Sequence, residues 1–200
     1  MAPPTQVVLE ITTQSQAMNY NTPAQAPQIT INGTPIPSPA NPPNSPTGYQ
    51  IVIINSAEDY TNPASILTNE YIQLFPQDGT TWWASTYQYM YAQLLFAQLS
   101  AGNVEQQLVI IASYGLDNNM PPTNDGYQMF LGIGAGATLQ NWETHCDAGS
   151  MGGPTNWVNQ PANYILVGLS SNGYGQGYEK QEAGTSSIQS TLSVTLDNAA

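Results

Sequence analysis

Four consecutive apolar residues decide the fold class of this 200-residue chain, Ile51-Val52-Ile53-Ile54. A continuous apolar run of this length is typical of a strand covered on both faces, because a strand with one wet face alternates apolar and polar residues. Two further runs have the same character, at residues 107–112 and 163–168. We therefore expect these three strands to lie in the centre of a sheet.

Weaker patterns extend the strand prediction to both ends of the chain. They favour strands at residues 6–12, 28–31, 71–75 and 187–196. Asn32-Gly33 is a strong signal for a β-hairpin. The same residues begin an Asn-x-Thr glycosylation acceptor, but the hairpin accounts for them without any modification.

Helices are predicted between the strands. Apolar and aromatic residues recur at helical spacing over residues 81–99, and a shorter helix begins at Asn124 or Asp125. A strand, a helix and a second buried strand are typical of a crossover unit. Residues 140–160 have no clear period, and we interpret them as a long ordered loop. The fold class we expect is α/β (α+β), a compact mixed β-sheet domain flanked by short helices.

The charge balance excludes several functions. The chain has 13 acidic residues and one basic residue, Lys180, which gives a net charge of -12. Nucleic acids, anionic membranes and transferred phosphoryl groups are all held by Lys and Arg, so we expect none of these partners or reactions. No apolar run is long enough to predict membrane insertion, and the N-terminus has no signal-peptide pattern. We expect an extracellular or surface-exposed protein.

Catalysis and metal binding have few candidate residues. His145 is the only imidazole and Cys146 the only thiol, so neither nucleophilic catalysis nor a zinc site is well supplied, and we expect no enzyme activity. Calcium is the one cofactor that we keep, since Asp117-Asn118-Asn119 with Asn124-Asp125-Gly126, or Glu58-Asp59 with Asn62, offer oxygen ligands. Such loops are more often plain turns.

Aromatic residues are the richest functional signal. Sugars stack their C–H faces on Trp and Tyr and exchange hydrogen bonds with Asn, Asp and Gln. The predicted ligand-binding residues are Trp82, Asn124, Asp125, Trp142, Trp157, Tyr174 and Tyr178. The alternative is that Trp83, Tyr87 and Tyr91 pack the predicted helix against the sheet and that the other aromatics cover loop edges. The glycine-rich residues 171–178 fit a binding loop or a bulged edge strand, and Glu179 and Glu182 beside Lys180 read as an exposed charge cluster.

The order of these patterns resembles that of the family of the interleukin-like EMT inducer and the pancreatic-derived factor, from about residue 28 to about residue 196. The matching segments are 31–33, 48–54, 95–102, 108–112 with Asp117, 130–134, and 164–168 with Gly173 and Glu179. The resemblance implies a fold of two sheets flanked by short helices, no catalytic residues, and either a secreted signalling role or glycan recognition. On this basis we divide the chain into an N-terminal strand and polar arm, residues 1–27, and a globular domain of this type, residues 28–200.

Two functions follow from these observations. The first is lectin-like, non-catalytic recognition of neutral carbohydrate on glycans or glycoproteins. The alternative is a structural or assembly component, such as an extracellular fibre or virion protein, whose uncharged surface makes homo-oligomeric contacts. Hydrolysis of glycans by paired carboxylates is a third and weaker hypothesis, since nothing singles out a pair.

Overall fold

The computed structural model describes residues 5–16, 25–39, 47–73, 107–117, 122, 124–150, 160–170 and 172–198. These residues form ten strands and two α-helices. The strands are β1 (Gln6–Gln16), β2 (Gln28–Ile31), β3 (Thr34–Pro35), β4 (Gly48–Asn55), β5 (Ile66–Gln73), β6 (Gln107–Tyr114), β7 (Leu116–Asp117), β8 (Pro161–Leu169), β9 (Tyr178–Ala183) and β10 (Ser187–Asp197). The helices are α1 (Asn124–Ile133) and α2 (Ala137–Ser150), and Pro63–Ser65 forms a single 3-10 turn.

Sheet B, with strand order β5-β4-β6-β8-β7 and with β9 paired to β8, is the centre of the molecule. Every residue of β6 is buried, and so are all but the last residues of β4 and β8. The prediction that these three apolar runs are strands covered on both faces is therefore confirmed.

Sheet A, with strand order β10-β1-β2-β3, covers one face of sheet B. Apolar side chains from both sheets form the core between them, and the buried members are Val7, Leu9, Ile11, Ile29, Ile31, Val52, Ile54, Tyr60, Leu108, Ile110, Ala112, Ile165, Val167 and Val194. β1, which lies in the 1–27 segment of the sequence-based division, pairs with β2 and with β10 and contributes to this core.

The two helices cover the opposite face of sheet B. Their buried side chains, Phe130 and Ile133 from α1 and Leu139 and Trp142 from α2, join a second core. The sheet B residues of this core include Tyr49, Ile51, Ile53, Val109, Ile111, Tyr164 and Leu166. The molecule thus has three layers, sheet A, sheet B and helices, and the outer layers bury both faces of the middle one.

The hairpin prediction at Asn32-Gly33 is confirmed. Both residues have positive φ, 50° and 76°, as the tight turn between β2 and β3 requires. The Asn32 side chain also accepts a 2.8 Å hydrogen bond from the backbone N–H of Val8, so this residue joins the turn to β1.

The structure corrects the sheet type that we expected. The coarse class is confirmed, since β-sheet dominates and short helices flank it, but all strand pairs among the described residues are antiparallel, and the sheet is not mixed. β4 and β6 were expected to flank a crossover, yet they are antiparallel neighbours. β5 and β6 both pair with β4, on either side of it, and therefore run in the same direction. The connection that joins two parallel strands is thus the one between β5 and β6.

The segment predictions have different outcomes. The strand predicted at residues 71–75 overlaps β5, and the short helix that starts at Asn124 is confirmed as α1. The loop predicted over residues 140–160 is wrong up to residue 150, because α2 occupies those positions. The helix predicted over residues 81–99 lies outside the described residues.

A glycine in β8 tests this layered packing. A Cβ added to Gly168 would lie 1.8 Å from the carbonyl oxygen of Ile133, where α1 ends against sheet B. We expect Gly168→Ala to lower the free energy of unfolding by about 1–3 kcal/mol, since the helix must move away from the sheet. Urea denaturation measures this change.

Gly132→Ala is the matched control, because Gly132 lies in α1 and a Cβ at this position would have no atom within 4 Å beyond its chain neighbours and the backbone of its own helix. This control should raise the free energy of unfolding by about 0.5–1 kcal/mol, since alanine favours the helix. A Gly168→Ala protein as stable as the wild type would contradict the described contact between α1 and β8.

Candidate functional site

Two backbone segments of the described chain make a close contact at one end of the helix layer. The junction between α1 and α2, residues 134–136, lies against the glycine-rich loop at residues 172–177. Gly175 N–H donates to the Ala135 carbonyl at 3.0 Å, and Gly177 N–H donates to the Gly134 carbonyl at 2.8 Å. A Cβ on Gly134 would lie 2.4 Å from the Gly177 nitrogen, so the approach requires glycine.

Glu179 fixes this contact from the next strand. Its Oε1 accepts hydrogen bonds from the backbone N–H groups of Gly136 (3.0 Å) and Thr138 (2.8 Å), and its Oε2 accepts one from Leu139 (3.2 Å). The Tyr164 hydroxyl donates to Oε2 at 3.0 Å. A carboxylate at a helix N-terminus satisfies amides that have no partner within the helix and interacts favourably with the helix dipole. Glu179 is therefore the cap of α2.

Tyr174 is the exposed residue that this framework presents. The residue is 56% exposed, and its hydroxyl donates a 2.8 Å hydrogen bond to Gln140 Oε1 on α2. Gln176 Oε1 accepts a 2.9 Å bond from Gly173 N–H and closes the turn around the tyrosine. We call Gln140, Tyr174 and Gln176 the Tyr174 surface. It combines one aromatic ring with two uncharged amides.

Tyr178 lies on a different face of the molecule. It is 51% exposed, and strand alternation places it on the same face of β9 as Lys180, which reaches the Thr191 carbonyl in sheet A. Glu179 points the opposite way, towards α2. The structure therefore does not bring Tyr174 and Tyr178 together into one surface.

The other predicted ligand-binding residues are placed as follows. Trp142 is 3% exposed and stacks on Tyr164 with ring centroids 5.5 Å apart, so its ring packs in the core and is not part of a surface platform. Asn124 and Asp125 begin α1, where the structure describes only the backbone. Trp82 and Trp157 lie outside the described residues. Tyr174 and Tyr178 are the two predicted residues seen at the surface.

His145 and Cys146 both belong to α2, and the structure describes only their backbone. As consecutive residues of a helix, they are separated by about 100° around the helix axis.

The candidate calcium residues at 58–62 form turns. Asp59 Oδ1 accepts bonds from Asn198 Nδ2 and Thr61 N–H, and these bonds lower the pKa of the Asp59 carboxyl, with Asn198 the larger cause. Asn62 Oδ1 accepts from Ala64 N–H at the start of the 3-10 turn. No cluster of three His, Cys, Asp or Glu side chains suited to a metal lies among the residues described.

A shallow groove of about 110 Å³ lies elsewhere, between the β2–β3 hairpin and residues 60–66. Its lining is largely apolar and includes Ile31, Tyr60 and Pro63. Two of its polar residues, Asn32 and Thr61, are already bonded to Val8 and to Asp59. The groove therefore offers a ligand little polar orientation and contains none of the predicted site residues.

Sequence reasoning missed the roles of Glu179 and Gln140. Glu179 was grouped with Glu182 around Lys180, but only Glu182 forms the ion pair, at 3.3 Å from the Lys180 ammonium. The period of two in a strand was the available signal, because residues 179 and 180 must face opposite sides. Gln140 had no signal of its own, since it lies in the stretch interpreted as a loop.

Comparisons with known proteins add no relative, since no family model, curated protein or solved structure matches the chain. Among the described helices, none has the length and apolar character needed to cross a membrane.

Removal of the Glu179 charge tests its role as the cap of α2. In Glu179→Gln the amide nitrogen must face one of the donors that now bond the carboxylate, and we expect the free energy of unfolding to fall by about 1–3 kcal/mol. Glu70→Gln, at an exposed position of β5, should change it by less than about 0.5 kcal/mol. Equal stability of the two variants in urea denaturation would show that Glu179 does not fix α2.

Proposed function

We propose that this chain is a non-catalytic binding module that recognises neutral carbohydrate through the Tyr174 surface. The observation that carries the proposal is the environment of Tyr174, which is 56% exposed while its hydroxyl bonds to Gln140. An isolated surface tyrosine has no preferred partner, whereas this hydrogen bond favours one orientation before any ligand binds.

Fixation matters because binding costs conformational entropy. Tyrosine offers a large contact area with few rotatable bonds, and a side chain already ordered loses less freedom when a ligand arrives. The loop beneath it is held by two backbone bonds to the α1–α2 junction, and the junction is held by Glu179. The Tyr174 surface is thus preorganised.

The chemistry of the surface suits a sugar. The tyrosine ring can stack on the apolar C–H face of a pyranose, and the amides of Gln140 and Gln176 can bond its hydroxyls. Glu179, the nearest carboxylate in sequence, is occupied by three amides and a tyrosine hydroxyl below the loop.

Net charge favours neutral over acidic glycans. The chain carries a charge of -12 with a single basic residue, so sulfated or uronic-acid polymers are repelled and find no cation to pair with. A neutral oligosaccharide meets no such barrier.

The layered architecture agrees with the family that the sequence resembles, for which two sheets flanked by short helices are implied. On that basis we propose that the chain is a distant member of the family of the interleukin-like EMT inducer and the pancreatic-derived factor, acting at the cell surface or outside the cell. Glycan recognition without catalysis is one of the roles this membership implies.

A pair of tyrosine variants tests the site. Tyr174→Ala should weaken binding to the neutral glycans that the wild type retains on an array by at least about tenfold, because the stacking ring is lost. Tyr178→Ala removes an equally exposed ring on the other face and should leave binding unchanged. Arrays with and without a chelator separate any calcium requirement.

Two outcomes would overturn this proposal. One is no retention of any neutral glycan by folded wild-type protein, and the other is loss of binding in Tyr178→Ala with retention in Tyr174→Ala. If glycans are not bound and the wild-type protein sediments as a large, concentration-dependent species, the assembly function is favoured instead.

A further inference from the structure

Among the described residues, β10 is an edge strand of sheet A. It is 11 residues long, contains neither Pro nor Gly, and has β1 as its one partner within that part of the chain. Asn198 N–H donates to the Thr5 carbonyl on the β1 side, so the even-numbered residues of β10 bond to β1 and the odd-numbered ones direct N–H and C=O outward. Unpaired groups of this kind can template pairing with another strand.

Lys180 covers the middle of this edge. Its ammonium donates to the outward carbonyl of Thr191 at 3.1 Å and pairs with Glu182 Oε1 at 3.3 Å. Lys180 belongs to β9, whose partner among the described strands is β8 in sheet B, so its side chain crosses from the edge of one sheet to the edge of the other. It is also the only Lys or Arg in the sequence. A lysine placed at a sheet edge is a known means of preventing strand pairing.

We propose that the outer edge of β10 is a self-association edge, on which β10 of a second copy pairs in antiparallel orientation, and that Lys180 keeps this edge closed. This proposal is independent of the carbohydrate site, since the residues of the Tyr174 surface lie on the helix side of sheet B.

Charge favours a second copy at this edge. Most contacts between two chains of charge -12 are repulsive. The side chains on the solvent face of β10 before its last residue are uncharged, namely Ser187, Gln189, Thr191, Ser193 and Thr195. A two-fold axis at Thr191 places Gln189 opposite Ser193 and Ser187 opposite Thr195, so the solvent-face side chains of the two paired strands bring no like charges together. The charged groups beside this axis are Lys180 and Glu182, which form an ion pair within each copy.

The apolar face of β10 also has room for a neighbour. Val194 is buried, but Leu192 and Leu196 on the same face are only partly buried at the end of the sheet A core. On its paired side, β10 lies beside β1, which carries apolar residues at alternate positions on the same face of sheet A, namely Val7, Leu9 and Ile11. A second β10 has the same alternation, so pairing about Thr191 would place Val194 opposite Ile188 and Leu192 opposite Ser190 of the other copy and extend this face across the axis.

The free energy by which Lys180 opposes strand pairing is small. The lysine is partly exposed, and exposed ion pairs contribute little and weaken further as salt rises. Salt also screens the repulsion between the two acidic chains. The dimer should therefore be favoured by high ionic strength and by removal of the lysine donor from the Thr191 carbonyl. Because this removal also makes each acidic chain more negative, the variants are compared at high ionic strength.

Lys180→Met tests the proposal by keeping the aliphatic stem and removing both the charge and the donor. By sedimentation velocity we expect its dimer dissociation constant to be at least about tenfold lower than that of the wild type. Amide hydrogen exchange should slow at the outward residues 189, 191, 193 and 195 in the dimer. Glu182→Gln, which keeps the lysine on Thr191, should shift the equilibrium less.

Ser193→Pro in the Lys180→Met background is the decisive control. It removes an outward N–H that β1 does not use, so the monomer tolerates it while strand pairing at the edge is blocked. The double variant should return to the monomer. A Lys180→Met protein that associates no more strongly than the wild type, or one whose dimer survives Ser193→Pro, would overturn the proposal.

Chemical acetylation covers the case in which Lys180→Met fails to fold. An N-hydroxysuccinimide acetate ester neutralises the single lysine of the folded wild-type protein, along with the N-terminal amine. The acetylated wild type should dimerise and acetylated Ser193→Pro should not. Equal sedimentation of these two acetylated proteins would equally overturn the proposal.

Discussion

The structure depends on a middle sheet that must be covered on both faces. β4, β6 and β8 carry apolar side chains at successive positions, so neither face of sheet B can meet water without a large hydrophobic cost. Sheet A covers one face and helices α1 and α2 cover the other. The position of the Tyr174 surface follows from how the helix layer reaches the edge of sheet B.

The helix layer explains why glycines gather at one end of the molecule. α1 comes so close to β8 that Gly168 meets the Ile133 carbonyl, and the junction after α1 meets the loop before β9 backbone to backbone. Glu179 then caps α2 from β9 and joins the helix layer to the sheet edge. Tyr174 stands on this contact and its hydroxyl bonds to Gln140, so the proposed binding surface results from the packing constraint.

The burial of the central strands and the geometry of the hairpin turn were predictable, because both depend on residues that are close in sequence. The three apolar runs and Asn32-Gly33 identified the central strands and the hairpin. Strand direction was not predictable, because residues 107–112 read the same in a parallel or an antiparallel sheet. α2 was also missed, since it has little amphipathic pattern beyond Leu139 and Trp142 and its cap, Glu179, lies 40 residues beyond Leu139. Trp142 shows that an aromatic residue alone does not distinguish a core position from a ligand platform.

Chemical-shift mapping with a neutral oligosaccharide tests the account most directly, because it reports where on the folded protein the sugar lies. The account predicts saturable shifts confined to the backbone amides of residues 140 and 173–177, at the ring of Tyr174, with no change at β9 residues on the sheet A side. Shifts centred on any other surface, or none at all with a ligand retained by the array, would contradict it.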